Sequence, residues 1–317
     1  MHANTLTGSC PGRTALWYLV VIAFATATPA PIAAQRAPSP IVGRWDMTIG
    51  SGTGTTPSWL KATRTGNHTP IGRFVQRGGS ARPVSKMEFT DGVMRFLPPP
   101  PWDRGTRDLV FDGKADGPVE LSGSVTDAEG NSRAWTANRA PTLRRAAAPV
   151  GGKPIALLNG KDLSGWTAGD NNGWRMVGNV LTNTKSGANL LTTSRHTDFK
   201  LHAEYRNPKR GNSGIYLRGR HEEQIEDSGG QEQTAINMGS IYGFIAPNQD
   251  ASKAAGEWQS VDITLVGRMV TVVLNGKTVI CAQQIPGITG GALDSDEGAP
   301  GPISRRAITP RWIFATS

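Results

Sequence analysis

Apolar and polar residues alternate in short runs from Ile41 to about Arg144. Gly43-Arg44-Trp45-Asp46-Met47-Thr48-Ile49, Val84-Ser85-Lys86-Met87-Glu88-Phe89 and Val93-Met94-Arg95-Phe96 each place every second side chain on one face. That period of two belongs to half-buried β-strands. Asp91-Gly92 predicts a hairpin turn between the last two runs, and Asp112-Gly113 and Glu129-Gly130-Asn131 predict further turns. Pro98 to Pro101 predict a loop. Strands that each bury one face close most simply into a small barrel or sandwich. Arg144 to Lys153 has no period and no large apolar side chains, and reads as a linker.

The pattern resumes after the linker. Phe199 to Tyr205, Ser213 to Arg218, Ser260 to Val266 and Met269 to Leu274 are strand-like, and Asn275-Gly276 followed by Lys277 to Ile280 is a strong hairpin signal. Two packed antiparallel sheets are expected here. The whole chain therefore reads as all-β: an antiparallel sandwich preceded by a small β-barrel or sandwich domain.

Composition adds three points. The 317 residues are enough for about two domains, and 39 Gly with 22 Pro favour short strands and turns over long helices. Arg13, the apolar run from Ala15 to Ala25 and the ending Ala33-Ala34-Gln35 read as a signal peptide over residues 1–34. That predicts a periplasmic or secreted protein with no membrane anchor after cleavage. The formal net charge of +9 is scattered, without a basic run interleaved with aromatics, so nucleic acid is not an expected partner. Cys10 would leave with the signal. Cys281 would then stand alone in a strand, most simply as a core residue.

Ordered motifs in the second half resemble the 3-keto-disaccharide hydrolase family. They are Leu158-Asn159-Gly160-Lys161-Asp162-Leu163-Ser164-Gly165-Trp166, Trp174, Val180-Leu181, Thr197-Asp198-Phe199-Lys200-Leu201, Gly211-Asn212-Ser213-Gly214-Ile215-Tyr216-Leu217-Arg218, Glu222 with Gln224 and Asp227, Gly256-Glu257-Trp258-Gln259, and Leu274-Asn275-Gly276. The resemblance spans roughly residues 154–303. It implies a concanavalin-like jelly roll that hydrolyses glycosides carrying a 3-keto sugar. Residues 41–143 resemble a small β-domain found ahead of some members, with no known role.

The chain departs from the family pattern in two places. Glu223 and Glu226 stand where members usually carry apolar residues. Burying Glu223 without a partner would be costly, so an edge position or a displaced strand is expected. After Ile303 the family continues with a Leu-Gln pair, a Gly-Asp-His turn and a closing Arg-Asn-Ile strand. Residues 304–317 show no strand pattern, whereas a shifted reading frame could encode the family ending. A frameshift would leave the last strand missing, a sheet edge unpaired and an inactive product.

Glycoside cleavage uses a carboxylic acid to protonate the leaving oxygen and a second group to activate water. A 3-keto sugar also permits elimination of the glycoside followed by hydration, because the ketone acidifies the neighbouring C–H. Glu222 is the expected acid/base, by its motif match. Asp227 is a second carboxylate, a metal ligand or a loop cap. Gln224 and Asn212 are candidate donors to the sugar, Arg218 a candidate for the carbonyl oxygen, Trp258 a sugar-stacking or core ring, and Tyr242 a cleft residue. The five His residues lack ligand spacing. No metal or cofactor is expected, and a Ca²⁺ site at Asp227 has no support beyond one carboxylate. The alternative to a hydrolase is a non-catalytic carbohydrate-binding module, since one sandwich serves both.

Overall fold

The structure is a computed structural model, and it describes residues 39–66, 68–100, 107–307 and 313–315. The expected signal peptide lies outside them. No helix among the described residues is long and apolar enough to cross a membrane.

Nine antiparallel strands build the first half: β1 (Gly43–Ile49), β2 (Thr56–Arg64), β3 (Pro70–Val75), β4 (Arg82–Val84), β5 (Lys86–Thr90), β6 (Val93–Leu97), β7 (Val110–Ala115), β8 (Glu120–Thr126) and β9 (Ser132–Arg139). They form one sheet in the order β4-β3-β2-β1-β9-β8-β7-β6-β5. The sheet curls until only Ser85 separates its two edge strands, giving a nearly closed barrel. The inward residues predicted from alternation fill it. Trp45, Met47 and Ile49 from β1 meet Phe74, Phe96, Phe111 and Trp135. Phe96 and Phe111 stack with ring centroids 4.4 Å apart, one of the offset geometries aromatic pairs prefer.

Asp91-Gly92 is the predicted hairpin turn, with φ of 52° and 82°. Such left-handed pairs match the twist of the flanking strands. Asp112-Gly113 is not a turn but lies inside β7. A Cβ at Gly113 would collide with the Trp135 ring, so this glycine makes room for a core aromatic. Residues 144–153 run without helix or strand.

Two antiparallel sheets form the second half. One holds β10 (Trp166–Ala168), β13 (Leu190–Thr192), β20 (Ser304–Arg305), β15 (Asn212–Leu217) and β16 (His221–Glu226), in that order. The other holds β11 (Trp174–Val177), β12 (Val180–Asn183), β21 (Ile313–Ala315), β14 (Phe199–Arg206), β17 (Trp258–Val266), β18 (Met269–Leu274) and β19 (Lys277–Gln284). Leu201, Ala203, Val261, Ile263, Val270 and Val272 face Leu190, Ile215, Leu217 and Ile225 in one shared core. This is the expected sandwich. Asn275-Gly276 makes the predicted hairpin, with φ of 49° and 77°. Cys281 is half-buried on β19.

The missing final strand is also corrected. The tail inserts β20 between β13 and β15, and β21 between β12 and β14. Phe314 is wholly buried against Trp174 and Tyr205. A single large ring at the right register, rather than an alternating run, fills the strand position.

Candidate active site

Alternation divides the β15–β16 hairpin into two faces. Ile215, Leu217, Glu223 and Ile225 point into the sandwich, and Asn212, Gly214, Tyr216, Glu222, Gln224 and Glu226 point away from it. The outward face is not bare. Residues 237–245 lie along the free edge of β16, with Gln224 donating its N–H to Ser240 and Tyr242 donating its N–H to the Glu222 carbonyl. Thr289 and Gly290 reach it from another side, through the Glu222 N–H and the Tyr216 hydroxyl.

Glu222 sits at the centre and is fully buried. Its Oε1 is 2.7 Å from Arg306 Nη1, and its Oε2 is 2.9 Å from the Tyr216 hydroxyl. That hydroxyl is also 2.7 Å from the Gly290 carbonyl oxygen. Tyr216 has one proton to give. The phenol proton can therefore go to Glu222 Oε2 or to the Gly290 carbonyl, one acceptor at a time. Burial raises the Glu222 carboxyl, and the Arg306 charge with the Tyr216 hydrogen bond opposes that rise. Burial likewise drives the Tyr216 phenol up, helped by the Glu222 charge. Gly214 explains how the carboxylate fits, since a Cβ there would lie 2.7 Å from Glu222 Cγ. The Glu222 N–H is held by Thr289 Oγ1 at 2.9 Å.

The other sequence candidates divide. Gln224 is buried on the same face, and its Oε1 has no hydrogen-bond partner. Asn212 is half-buried on that face, opposite Glu226. Tyr242 is half-buried beside Glu222, and burial raises its phenol, with the Glu222 charge adding to the shift. Asn212 shares the face but, opposite Glu226, lies about 13 Å along it at about 3.3 Å per residue; Gln224 and Tyr242 gather around Glu222.

Asp227, Arg218 and Trp258 do not. Asp227 continues the inward parity about 16 Å along the strand from Glu222, at about 3.3 Å per residue. It accepts the Arg210 N–H at 2.8 Å, the loop-cap role. Arg218 occupies the β15–β16 turn with φ of 54°, fully buried, donating to the Gly267 carbonyl at 2.8 Å. Burial lowers its guanidinium to about 10. Trp258 begins β17 in the other sheet, partly exposed, with Arg206 stacked 4.8 Å from its ring centre.

Sequence reasoning missed Tyr216 and Arg306. Tyr216 was legible, since it shares the outward parity of Gly214. Arg306 was excluded with the tail, yet its backbone N–H bonds the Gly214 carbonyl and its own carbonyl accepts from Ser213 Oγ at 2.7 Å.

Inside the sandwich, Glu223 and Arg305 flank Ile215 from opposite sides on one face, and both are buried. Glu223 lies on the edge strand of its sheet, as expected, yet its side chain is buried inside the sandwich. Burial drives its carboxyl far up, with the Arg305 charge opposing. A separate cavity of about 740 Å³ opens under the linker, lined by Leu157, Trp166, His196, Leu201 and Arg305 among others, but not by Glu222. No group of three or more His, Cys, Asp or Glu that could hold a metal stands among the described residues.

Comparison with known proteins places the second half. Its residues 153–305 match the family described as the 3-keto-alpha-glucoside-1,2-lyase-like domain. No curated protein matches the chain. Among solved structures, a candidate glycosyl hydrolase of Parabacteroides distasonis ATCC 8503 is 28% identical, with a TM-score of 0.46, over 51% of this chain and 80% of its own. A second from the same organism is 19% identical, with a TM-score of 0.43, over 50% and 89%. The carbohydrate-binding module CBM66 from Bacillus subtilis is 12% identical, with a TM-score of 0.34, over 50% and 94%. Residues 153–305 thus match the 3-keto-alpha-glucoside-1,2-lyase-like domain family, the resemblance that their motifs carried.

Proposed function

We propose that the chain is an exported, periplasmic or secreted enzyme that cleaves 3-keto-glycosides, with Glu222 as its acid/base. The observation that carries this reading is the Glu222 carboxyl: buried, raised by burial, and held between Tyr216 and Arg306 on the outward face of the family-matched domain. A carboxyl poised in this way suits proton transfer.

One carboxylate favours elimination over direct displacement. The next carboxylate on the same face, Glu226, is about 13 Å along the strand, beyond the roughly 5–9.5 Å that paired glycosidase carboxyls need. In elimination, ionised Glu222 takes the proton from C2, beside the ketone. The C2–H electron pair becomes the C1=C2 bond, the C1–O bond breaks, and the leaving oxygen takes up the proton. Water then adds across the double bond. Arg306 and Gln224 are the nearby groups suited to hold the ketone oxygen as charge develops on it.

The test is sugar release from 3-keto-trehalose and related 3-keto-glucosides. Glu222→Gln should cut turnover roughly 10²- to 10⁴-fold while the sugar still binds. Binding without turnover in the unaltered chain would overturn the enzyme reading in favour of a carbohydrate-binding module.

A further inference from the structure

The loop between β19 and β20 is fastened on two sides. Towards Glu222, Thr289 Oγ1 accepts the Glu222 N–H, and the Gly290 carbonyl meets the Tyr216 hydroxyl. Arg220 grips the loop at Asp294 through two contacts, at 2.6 and 3.0 Å. Towards the N-terminal barrel, Ile288 packs with Trp59 and Val75, and Gly287 lies so close to the Trp59 indole that a Cβ would not fit. Ser295 donates to the Met47 carbonyl, and its hydroxyl is 3.2 Å from that of Thr48. A Cβ on Gly290 would lie 2.8 Å from the Gly79 carbonyl oxygen, so the β3–β4 loop of the barrel presses on the residue that meets Tyr216.

The second loop around Glu222 has the same arrangement. Tyr242 donates its N–H to the Glu222 carbonyl, while Gly243 beside it lies so close to Ser80 of the barrel that a Cβ would not fit. Arg73 Nη2 donates to the Gly243 carbonyl at 3.3 Å and lies 5.5 Å from the Phe244 ring centre. Trp59 meets Phe244 edge-on at 5.3 Å. Both loops that set the Glu222 carboxyl are therefore backed by the barrel and not by solvent.

We propose that the N-terminal barrel is a positioning element of the Glu222 site, acting through Ser80 and Arg73 on the Tyr242 loop and through Trp59 and the Gly78-Gly79 turn on the Thr289-Gly290 loop. The proposal rests on the reading of Glu222 as the acid/base. It gives residues 41–143 a role inside the site, since small misplacements of a proton-transferring group cost rate more than affinity.

The experiment uses the full chain. Arg73→Met with Ser80→Ala removes the polar barrel side chains that lie against the Tyr242 loop, leaving the Trp59–Phe244 contact and both cores in place. The expected result is a roughly tenfold lower kcat with KM and thermal transition nearly unchanged, and Ser80→Thr alone retaining the parent kcat. An unchanged kcat in the double variant, or a fall that simply follows the thermal transition, overturns the proposal. A second readout needs no turnover. The ¹³C carboxyl titration of Glu222, assigned by its loss in Glu222→Gln, should move in the double variant. If the parent chain cleaves no 3-keto-glucoside, the enzyme reading fails by itself. An unmoved Glu222 titration then overturns the positioning role independently.

Discussion

Arg306 Nη1 lies 2.7 Å from Glu222 Oε1 and joins the tail of the chain to the strand that carries the proposed acid/base. Arg306 is the charge that limits how far burial raises the Glu222 carboxyl. Replacing Arg306 with Met should let the carboxyl rise further. Where Glu222 must be ionised to act, the acid limb of kcat/KM against pH should move upward, and activity on the acid side should fall. An acid limb that stays in place would remove Arg306 from the site.

Gly214 and Glu222 share one small space. Gly214→Ala puts a methyl group 2.7 Å from Glu222 Cγ, so the carboxyl must swing away from Arg306 and Tyr216. Overpacking of this kind costs about 1–3 kcal/mol. Turnover should fall far more than stability, as measured by kcat beside chemical denaturation.

Glu223 makes stability depend on pH with a definite sign. Its folded-state carboxyl is raised far above the unfolded value near 4.3, so the native state holds a proton that the unfolded state releases. Its contribution is full below about pH 4.3 and is lost as pH rises from there towards the folded value. Subtracting the stability curve of Glu223→Gln from that of the parent should give a difference that falls with rising pH. A flat difference would mean that Glu223 is ionised in the core.

Phe314 tests the tail as a structural part. It is fully buried between Trp174 and Tyr205, with the Arg305 guanidinium 3.9 Å from its ring centre. Phe314→Ala should cost about 3–5 kcal/mol in urea unfolding. A cost near zero would show that β21 does not hold the second sheet together.

Local features were legible in the sequence because local chemistry decides them. Asp91-Gly92 and Asn275-Gly276 announce their turns through the left-handed backbone that only a few residues accept. The alternation in β14 identifies its buried face residue by residue, and in β1 it does so except at Asp46, which is buried on the other face. Gly113 misled because a glycine in a strand and a glycine in a turn look alike until the ring of Trp135, more than twenty positions away, is in view. The same distance hid the site's supports. Nothing near Glu222 in sequence points to Thr289, Gly290, Arg306 or Ser80, which only the folded chain brings beside it. Asp227 was readable: five places after Glu222, an odd step, puts it on the other face.

The two halves must be completed in different ways as the chain is made. All but one of the barrel's ladders join strands that follow one another in sequence, so the barrel can condense hairpin by hairpin soon after residue 139 is synthesised. In the other half β20 divides β13 from β15, and β21 divides β12 from β14. Each sheet remains two fragments with open edges until residues 304–315 arrive. During that interval a finished barrel is tethered to an unfinished sandwich, which is open to proteolysis and mispairing. Clipping or delaying a dozen residues at that point would leave the barrel intact and the sandwich unable to close.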